Sequence, residues 1–356
     1  MRTPNGPRRC SVGHVDINLF ARLFSRWFDF PRSPDYAKCL IKAAASKKSL
    51  ESVYKNQDGL PPDSFFHFFH YPVEEVARVM DRFFARQARI MDEQGCTVAV
   101  DTNDVEYWGS VDEYVHKKKR AMKNHYVLRY ATVSIVSERH KLTLACAPIS
   151  RNDSLKDVVC LLLAKARSMI RVDTVLFDRG FYNSRILEMT RDMGMDYVIP
   201  LRKTVGTDRL WKECERKDAY KVRYTMNKYT GPLRSWLYLS GKKEDDDGRE
   251  YVGVLSNKNV APEAADDFME WYFVRCNIEN GYKERNEYKI KTSSTDKAYR
   301  LLAYCVGHYL MNLVQLARRI NNSVFRNDEM KKLLELLLNK NLRGEHRLTR
   351  DLIVIA

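Results

Sequence analysis

The chain has 356 residues, of which 61 are Lys or Arg and 46 are Asp or Glu, so its formal net charge is +15. Its hydrophobic content of 44% and aromatic content of 11% are typical of a folded protein and exclude a disordered chain. The length suits two or three domains. The excess of positive charge favours a polyanionic partner, above all nucleic acid, and leaves a basic enzyme without a nucleic-acid role as the alternative.

Cysteine usage and hydropathy predict the compartment. Eight cysteines are scattered without a Cys-x-x-Cys pair, which indicates buried free thiols in a reducing compartment and disfavours a zinc site. No run of about 18 apolar residues could span a bilayer, and the opening MRTPNGPRRCSVGH lacks the apolar core of a secretory signal. We therefore expect a cytoplasmic, nucleoid-associated protein with no membrane partner.

The first part of the chain has a helical pattern. From Asp16 to about Glu93, apolar residues recur at three- and four-residue spacing in INLFARLFSRWF, SLESVYKN and PVEEVARVMDRFFARQARIMDEQ. This predicts an N-terminal helical domain, residues 1–95. Within it, His67 and His70 lie among four phenylalanines; because no Cys or carboxylate cluster completes a site, packing is favoured over metal binding.

The next part has the two-residue period of strands. CTVAVD, HYVLRYATVSIV and KLTLACAPI predict three strands. They are followed by the helix SLKDVVCLLLAKARSMI with Ser154 as its N-cap, the strand VDTVLF, a helix from about Asn183 to Met193 and the strand DYVIPL. This order predicts a mixed α/β core whose first part is 96–201.

The rest of the chain returns to helices after a further strand region. AYKVRYTMN, RSWLYLS and YVGVLS predict a β-rich insertion over 202–256. Helical periodicity then runs through EWYFVRCNIENGYKERNEYKIK and AYRLLAYCVGHYLMNLVQLARRI. We assign 257–320 to the second part of the core and 321–356 to a basic helical tail.

Two predicted core strands each end on a carboxylate, Asp101 and Asp178. Ligands usually bind at the carboxyl ends of strands in α/β sheets, so two such ends could converge on one site. Each Asp could equally cap a turn, which is a common role for Asp after a strand. Asp104 and Glu106 are rival carboxylates nearby, and spacing alone does not choose among the four.

A polar stripe marks the helical segment after the insertion. Its members follow steps of three, four, four and three residues and therefore share one side of a helix: Tyr272, Arg275, Glu279, Lys283 and Asn286. A solvated helix face is the simplest reading. Apolar neighbours such as Trp271 and Ile278 instead indicate a helix buried on most sides, whose polar stripe faces a ligand.

Three carboxylates in one site would suit phosphodiester chemistry. Mg²⁺ prefers oxygen ligands, and a pair of ions can bind the attacking and leaving oxygens of a displacement at phosphorus. Asp101, Asp178 and Glu279 would form the set, with Arg275 and Lys283 placed to contact phosphates.

These residues resemble a known family. VAVDTNDVEYWG, HYVLRYATVSIV, VLFDRGFYNSRILEMTRDMGMDYVIPLRK and RCNIENGYKERNEYKIKTSS together resemble the insertion-sequence transposases with an Asp-Asp-Glu triad, in the branch common in archaeal elements. The resemblance runs from about residue 96 to about residue 320. It implies a ribonuclease-H-like core in which a mixed sheet is flanked by helices, with Asp101, Asp178 and Glu279 as catalytic and metal-binding residues.

The resemblance also implies an activity. The expected function is metal-dependent cleavage at the element's ends and strand transfer into target DNA, with Mg²⁺ as the cofactor, Mn²⁺ as its substitute and two ions in the site. The N-terminal helices would bind the terminal inverted repeats, and a homodimer would hold two DNA ends. A nuclease that cleaves without joining and an inactive DNA-binding relic are the alternatives.

The family signature around the Glu is Tyr-x₂-Arg-x₃-Glu-x₆-Lys. Tyr272, Arg275 and Glu279 are in register, but Asn286 stands where the signature has Lys. Lys283 or Lys289 could replace it as a phosphate contact. The remaining DNA-binding candidates are the basic side chains close in sequence to the two aspartates: Arg179, Lys117, Lys118 and Lys119.

Overall fold

The structure is a computed structural model, and its residues fall into two compact units. It describes residues 17–55, 61–90, 95–118, 126–137, 141–201, 210, 219–226, 232–240, 253–261, 268, 271–275 and 284–321. The first unit, here the helical unit, lies within residues 1–90 and 283–356. The second, here the sheet unit, lies within residues 91–282.

The helical unit is built around an aromatic core. Its described helices are α1 (Ile17–Trp27), α2 (Ser33–Ala45), α3 (Leu50–Tyr54), α4 (Pro62–Phe68), α5 (Val73–Ala88) and α8 (Lys297–Asn321). Four-residue spacing puts Phe20 and Phe24 on one buried face of α1, and the buried Phe28 follows directly after the helix. Phe20 contacts Phe83 of α5, with ring centroids 4.8 Å apart. The predicted helices at the start of the chain are therefore present.

Helix α8 belongs to the helical unit, whereas its sequence position had assigned it to the second part of the core. The ring of Tyr309 packs on Phe20 at 4.9 Å, and the Asn312 side chain donates to Gln87 Oε1 at 2.9 Å. From Ala298 to Leu316 every residue of α8 is buried. Because α8 has no solvated stripe along this stretch, its periodicity could not indicate which unit it packs in.

The sheet unit holds one mixed sheet, which in the described residues has nine strands. They are β1 (Cys96–Tyr107), β2 (Val115–Lys117), β3 (Tyr126–Val136), β4 (Lys141–Ile149), β5 (Val172–Phe177), β6 (Asp196–Pro200), β7 (Ala219–Met226), β8 (Leu233–Ser240) and β9 (Val254–Ser256). The spatial order is β2-β3-β1-β5-β6-β9-β8-β7, and β4 also pairs with β3.

Strand direction separates the core from the insertion. β1 is antiparallel to β3 and parallel to β5, and β5 is parallel to β6. β9 joins β6 in antiparallel pairing, and β8 and β7 follow. The strands of the predicted β-rich insertion therefore continue the core sheet at its β6 edge.

Two helices connect the parallel strands. α6 (Leu155–Met169) lies between β4 and β5, and α7 (Ser184–Asp192) between β5 and β6. Ser154 is the N-cap residue of α6, as expected, but its side chain makes no cap hydrogen bond. At α7, Asn183 Oδ1 accepts from the backbone N–H of Arg185 at 2.9 Å. The α/β order predicted for the core is confirmed.

The described cysteines agree with the prediction of buried free thiols. Among the described cysteines, Cys39, Cys96, Cys146 and Cys305 are buried free thiols, and Cys160 is partly exposed. Burial raises the pKa of the Cys39 thiol to about 12. None of the helices in the described ranges is long and apolar enough to cross a membrane.

Candidate active site

The sheet register places Asp101 and Asp178 side by side. Val100 of β1 is the parallel partner of Phe177 of β5, and each aspartate is the next residue of its chain. Adjacent strands are about 4.8 Å apart. Because side chains alternate along extended chain, Asp101 shares the sheet face of Ala99, and Asp178, whose backbone is extended, shares that of Leu176. Ala99 and Leu176 lie in one apolar cluster, so both carboxylates belong to the same face.

The prediction that a strand ends on Asp101 is wrong. β1 continues to Tyr107, and Asp101 pairs with Thr132 of β3 inside the antiparallel ladder. Only the parallel partner β5 stops here, at Phe177. From Asp101 onward, β1 is therefore paired with β3 and no longer with β5. The sequence suggested an end because Asp is rare inside strands.

Each carboxylate is oriented by a backbone amide. Asp101 Oδ1 accepts from the N–H of Thr102, and Asp178 Oδ1 accepts from the N–H of Gly180, both at 2.7 Å. Asp178 thereby caps a short 3₁₀ helix, Arg179–Phe181. Asp101 is buried, with 8% of its surface exposed, while Asp178 is more exposed. The turn therefore holds one carboxylate oxygen of Asp178.

Gly180 lies in the turn that Asp178 caps. Among the described glycines, positive φ occurs at Gly95 and Gly194, so the turn at Gly180 does not depend on left-handed backbone. A Cβ atom at residue 180 would lie 2.9 Å from Asp178 Oδ1. The missing side chain leaves room for the carboxylate to accept the Gly180 N–H.

The rival carboxylates on β1 are directed elsewhere. Asp104 lies three residues beyond Asp101 and therefore on the opposite face of the strand. Its two oxygens accept from Arg129 Nε at 2.7 Å and from an Arg129 terminal nitrogen at 2.9 Å. The carboxylate raises the pKa of Arg129. Glu106 shares the face of Asp104. Alternation along a β1 extended to Tyr107 would have excluded both residues from the site. The pairing of Asp104 with Arg129 could not be predicted without the register of β1 against β3.

Tyr272 packs against the end of β5. Its hydroxyl donates to the carbonyl of Phe177 at 3.0 Å. The ring is buried in the apolar cluster that contains Ala99 and Leu176. A member of the predicted polar stripe therefore lies on the face of the two aspartates and fixes the carbonyl that precedes Asp178.

The rest of the stripe is only partly described. Trp271 and Tyr272 are helical, and a 3₁₀ helix, Phe273–Arg275, follows. The Arg275 guanidinium lies 5.9 Å from the Tyr272 ring centroid. Glu279 and Lys283 lie outside the described residues.

In the helical unit, Asn286 is exposed and accepts a 2.8 Å hydrogen bond from Arg285. Helical structure covers residues 284–286 and stops before Lys289, which is exposed. Lys289 therefore does not lie on the helical segment that carries Asn286.

The basic candidates near the aspartates are at the surface. Arg179 is exposed in the turn that Asp178 caps, and Lys117 and Lys118 are exposed at the end of β2. Lys119 lies outside the described residues. Arg179 is next to Asp178 in the chain, whereas Lys117 pairs with Tyr126 on the far side of β3.

The aspartate pair suits a divalent cation in its donor chemistry. Two neighbouring carboxylates, each oriented by an N–H, offer the oxygen ligands that Mg²⁺ and Mn²⁺ prefer. No group of three or more His, Cys, Asp or Glu side chains arranged for a metal occurs in the part of the chain that is described. The third predicted carboxylate, Glu279, lies outside that part.

Comparison with solved structures gives the fold. The chain is similar to the piggyBac transposase in a synaptic complex with hairpin DNA, with 11% identity, a TM-score of 0.59 and coverage of 95% of this chain and 81% of that one. A Drosophila P element transposase in a strand transfer complex matches at 10% identity over 91% of this chain and 64% of that one, with a TM-score of 0.19 that carries no argument. The sheet flanked by helices is the ribonuclease-H-like fold of transposases, as predicted.

Comparison with protein families gives the membership. No curated protein matches the sequence. A family model described as the transposase DDE domain matches residues 86–310, a range that contains Asp101, Asp178 and Glu279. Because this range is more than half of the 356 residues, the chain belongs to the transposase DDE domain family.

Proposed function

We propose that this DDE transposase cuts DNA at the ends of an insertion sequence and joins those ends to target DNA. The observation that carries the proposal is the register of β1 and β5, which puts Asp101 and Asp178 next to each other on one sheet face. The family membership supplies the reaction class. Asp101, Asp178 and Glu279 are the proposed catalytic and metal-binding residues.

The proposed cofactor is Mg²⁺, with Mn²⁺ as a substitute and two ions per site. Such ions, when bound, would supply Lewis-acid stabilisation of charge at the scissile phosphate. The protein holds the carboxylates ready for this role, because backbone amides orient one oxygen of each. Tyr272 keeps the end of β5 in place through the Phe177 carbonyl.

The surrounding basic residues are proposed to position DNA. Arg179 follows Asp178 directly and can contact a phosphate near the cleaved bond. Arg275, Lys117, Lys118 and Lys119 would contact more distant phosphates, and Lys283 or Lys289 would replace the signature Lys that Asn286 lacks. The partners are terminal inverted repeats and target DNA, bound by a homodimer that holds two ends in the cytoplasm.

One assay tests this function. Labelled DNA ends from either side of the coding sequence are incubated with a target plasmid, with Mg²⁺, with Mn²⁺ and with chelator. We expect metal-dependent cleavage and joined products from the parent protein. Cleavage without joining would support the nuclease alternative, and DNA binding without cleavage would support the relic.

Asparagine variants test the aspartate pair. Asp101→Asn and Asp178→Asn should each lower cleavage by at least about a hundredfold, because a lost charged ligand removes charge stabilisation at the phosphate. DNA binding should persist. Glu106→Gln and Asp173→Asn are matched controls, since both are exposed carboxylates on the same two strands. Near-parental cleavage by either active-site variant would contradict the assignment.

A further inference from the structure

One face of α5 carries a row of exposed arginines. Arg78, Arg82 and Arg86 follow four-residue steps, and Arg89 continues the helical geometry directly after the last residue of α5. At 100° per residue the four lie within an arc of about 80°. The row is roughly 16 Å long at a rise of 1.5 Å per residue. We call these four residues the arginine ridge.

The ridge is the side of α5 that the core leaves uncovered. The buried side chains of α5 lie on its other side and include Val79, Phe83 and Gln87. The acidic residues Glu74 and Glu75 are in the first turn, where the helix dipole favours negative charge. The other carboxylate of α5, Asp81, is only partly exposed and lies about 60° from Arg78 around the helix, outside the arc of the four arginines. The exposed charged side chains along the last three turns are therefore the arginines.

One ridge arginine is in an ion pair, and the other three, among the residues that the structure describes, are not. Arg78 pairs with Glu75 at 3.3 Å. Within the described part of the chain, Arg82, Arg86 and Arg89 make no ion pair. A solvated helix face is usually stabilised by pairs of opposite charge one turn apart, and here successive turns repeat the same charge at a cost in repulsion. An anionic partner would remove that repulsion.

The ridge adjoins an exposed aromatic side chain. Trp27 is 36% exposed at the end of α1, and the Arg82 guanidinium lies 3.4 Å from the centroid of its ring. Arg26 lies 6.0 Å from the same ring. Stacking fixes the plane of a guanidinium while its N–H groups stay available at the edge for a phosphate. Trp27 thus holds Arg82 in an orientation ready to donate.

We propose that the arginine ridge, with Arg82 positioned by Trp27, binds the phosphate backbone of duplex DNA without reading its base sequence. Duplex DNA carries one negative charge per about 1.7 Å of axis, so a length of about 16 Å carries roughly nine charges on its two strands, of which the ridge would face a part. Arginine forks match phosphate oxygens, whereas sequence reading requires contacts to base edges. The inference rests on the proposed function, because it assumes that DNA is the substrate.

The test compares two charge-matched triple variants. The ridge variant replaces Arg82, Arg86 and Arg89 with Gln. The control replaces Lys48, Lys55 and Lys291 with Gln, which are exposed residues of the helical unit outside α5. Binding of a fluorescent duplex of arbitrary sequence is measured by anisotropy as a function of salt. The magnitude of the negative slope of log K against log salt should fall by about 2.7 for the ridge variant, at about 0.9 per lost phosphate contact. For the control it should remain near the parental value.

Two smaller variants keep the test independent of folding. Arg86→Gln alone should lower the slope by about 0.9. Trp27→Leu leaves every charge in place and should weaken duplex binding severalfold with a smaller change in slope, because Arg82 loses its fixed orientation. Circular dichroism confirms that each variant is folded.

Several results would overturn the ridge without touching the proposed function. These are a parental slope in both the triple and the single ridge variants, or an equal fall in slope in the control. Binding to vesicles of phosphatidylcholine and phosphatidylserine but not to duplex DNA would also overturn it. Conversely, a ridge-dependent slope in a protein that never cleaves DNA would support the ridge while contradicting the proposed function.

Discussion

At the scale of single residues, the sequence predicted that Asp101 and Asp178 could lie together but not what surrounds them. The sequence predicted a strand followed by the carboxylate of Asp178, and Asp178 does follow the last residue of β5. The same reading failed at Asp101, because pairing with β3 carries β1 onward to Tyr107. The hydrogen bond that orients Asp178 comes from a turn, and the one that orients Asp101 comes from the next residue of β1; local composition encodes neither.

Gly180→Ala should separate activity from stability. The new Cβ would come within 2.9 Å of Asp178 Oδ1, so the carboxylate must rotate and weaken its bond to the residue 180 N–H. Since only the end of one side chain moves, we expect a loss of less than about 1 kcal/mol in unfolding free energy. If Asp178 is a metal ligand, its displacement should lower cleavage by tenfold or more, since a shift of 1 Å can cost about a hundredfold in rate.

The control for Gly180→Ala is Asn183→Ala, which removes the α7 cap a few residues away without touching Asp178. Denaturant unfolding and cleavage rates are measured for both variants. Asn183→Ala should lose about 1 kcal/mol of stability and retain cleavage. Equal rates for the two alanine variants would show that the room at Gly180 has no role in the site.

At the scale of elements, strands and amphipathic helices could be predicted from the sequence. Which strands pair and which helices pack together could not. The insertion strands were recognised from their β-branched and aromatic content, but only the pairing of β9 with β6 shows that they continue the core sheet. Helix α8 was recognised as a helix, yet its burial over successive turns concealed its partners. Polar residues such as His308 inside α8 give no signal of their environment, because period and hydropathy do not distinguish a buried histidine from a solvated one.

Buried His308 should make the helical unit sensitive to acid. Burial lowers the pKa of His308 well below 6.5, and the nearby Arg285 charge lowers it further. Below about pH 6.5 the unfolded chain binds a proton that the folded chain does not. The neutral ring's contribution to stability is therefore complete above that pH and is lost as the pH falls, at up to about 1.4 kcal/mol per unit.

Unfolding by denaturant between about pH 7.5 and 5 measures this effect. His308→Gln should be less stable than the parent at neutral pH and should show a shallower fall on acidification. His67→Gln is the matched control, since His67 is exposed on α4. Identical pH slopes for the parent and His308→Gln would exclude the buried imidazole as the cause.

At the scale of the whole molecule, composition predicted the partner and the resemblance predicted the fold. A net charge of +15 favoured nucleic acid as the partner, but it did not indicate which surface carries the charge. The structure places the aspartate pair in the sheet unit and the arginine ridge in the helical unit. Chain order placed α8 with the core because unit boundaries depend on long-range packing, which a local pattern does not contain.

Because the proposed chemistry and the proposed ridge lie in different units, salt should separate their defects. Asp178→Asn removes a ligand at the reacting phosphate, so it should be inactive at every salt concentration while binding DNA with the parental slope.

The triple ridge variant keeps both aspartates and loses only phosphate contacts, whose contribution grows as salt falls. At low salt its remaining phosphate contacts should still saturate it with DNA, so it should cleave DNA ends at near-parental rates there and lose activity at a lower salt concentration than the parent. Cleavage across a salt series, with DNA in excess and with protein in excess, distinguishes weak binding from slow chemistry. If the ridge variant is inactive even at low salt with the DNA saturated, the ridge acts on the chemical step or on folding and not only on DNA binding.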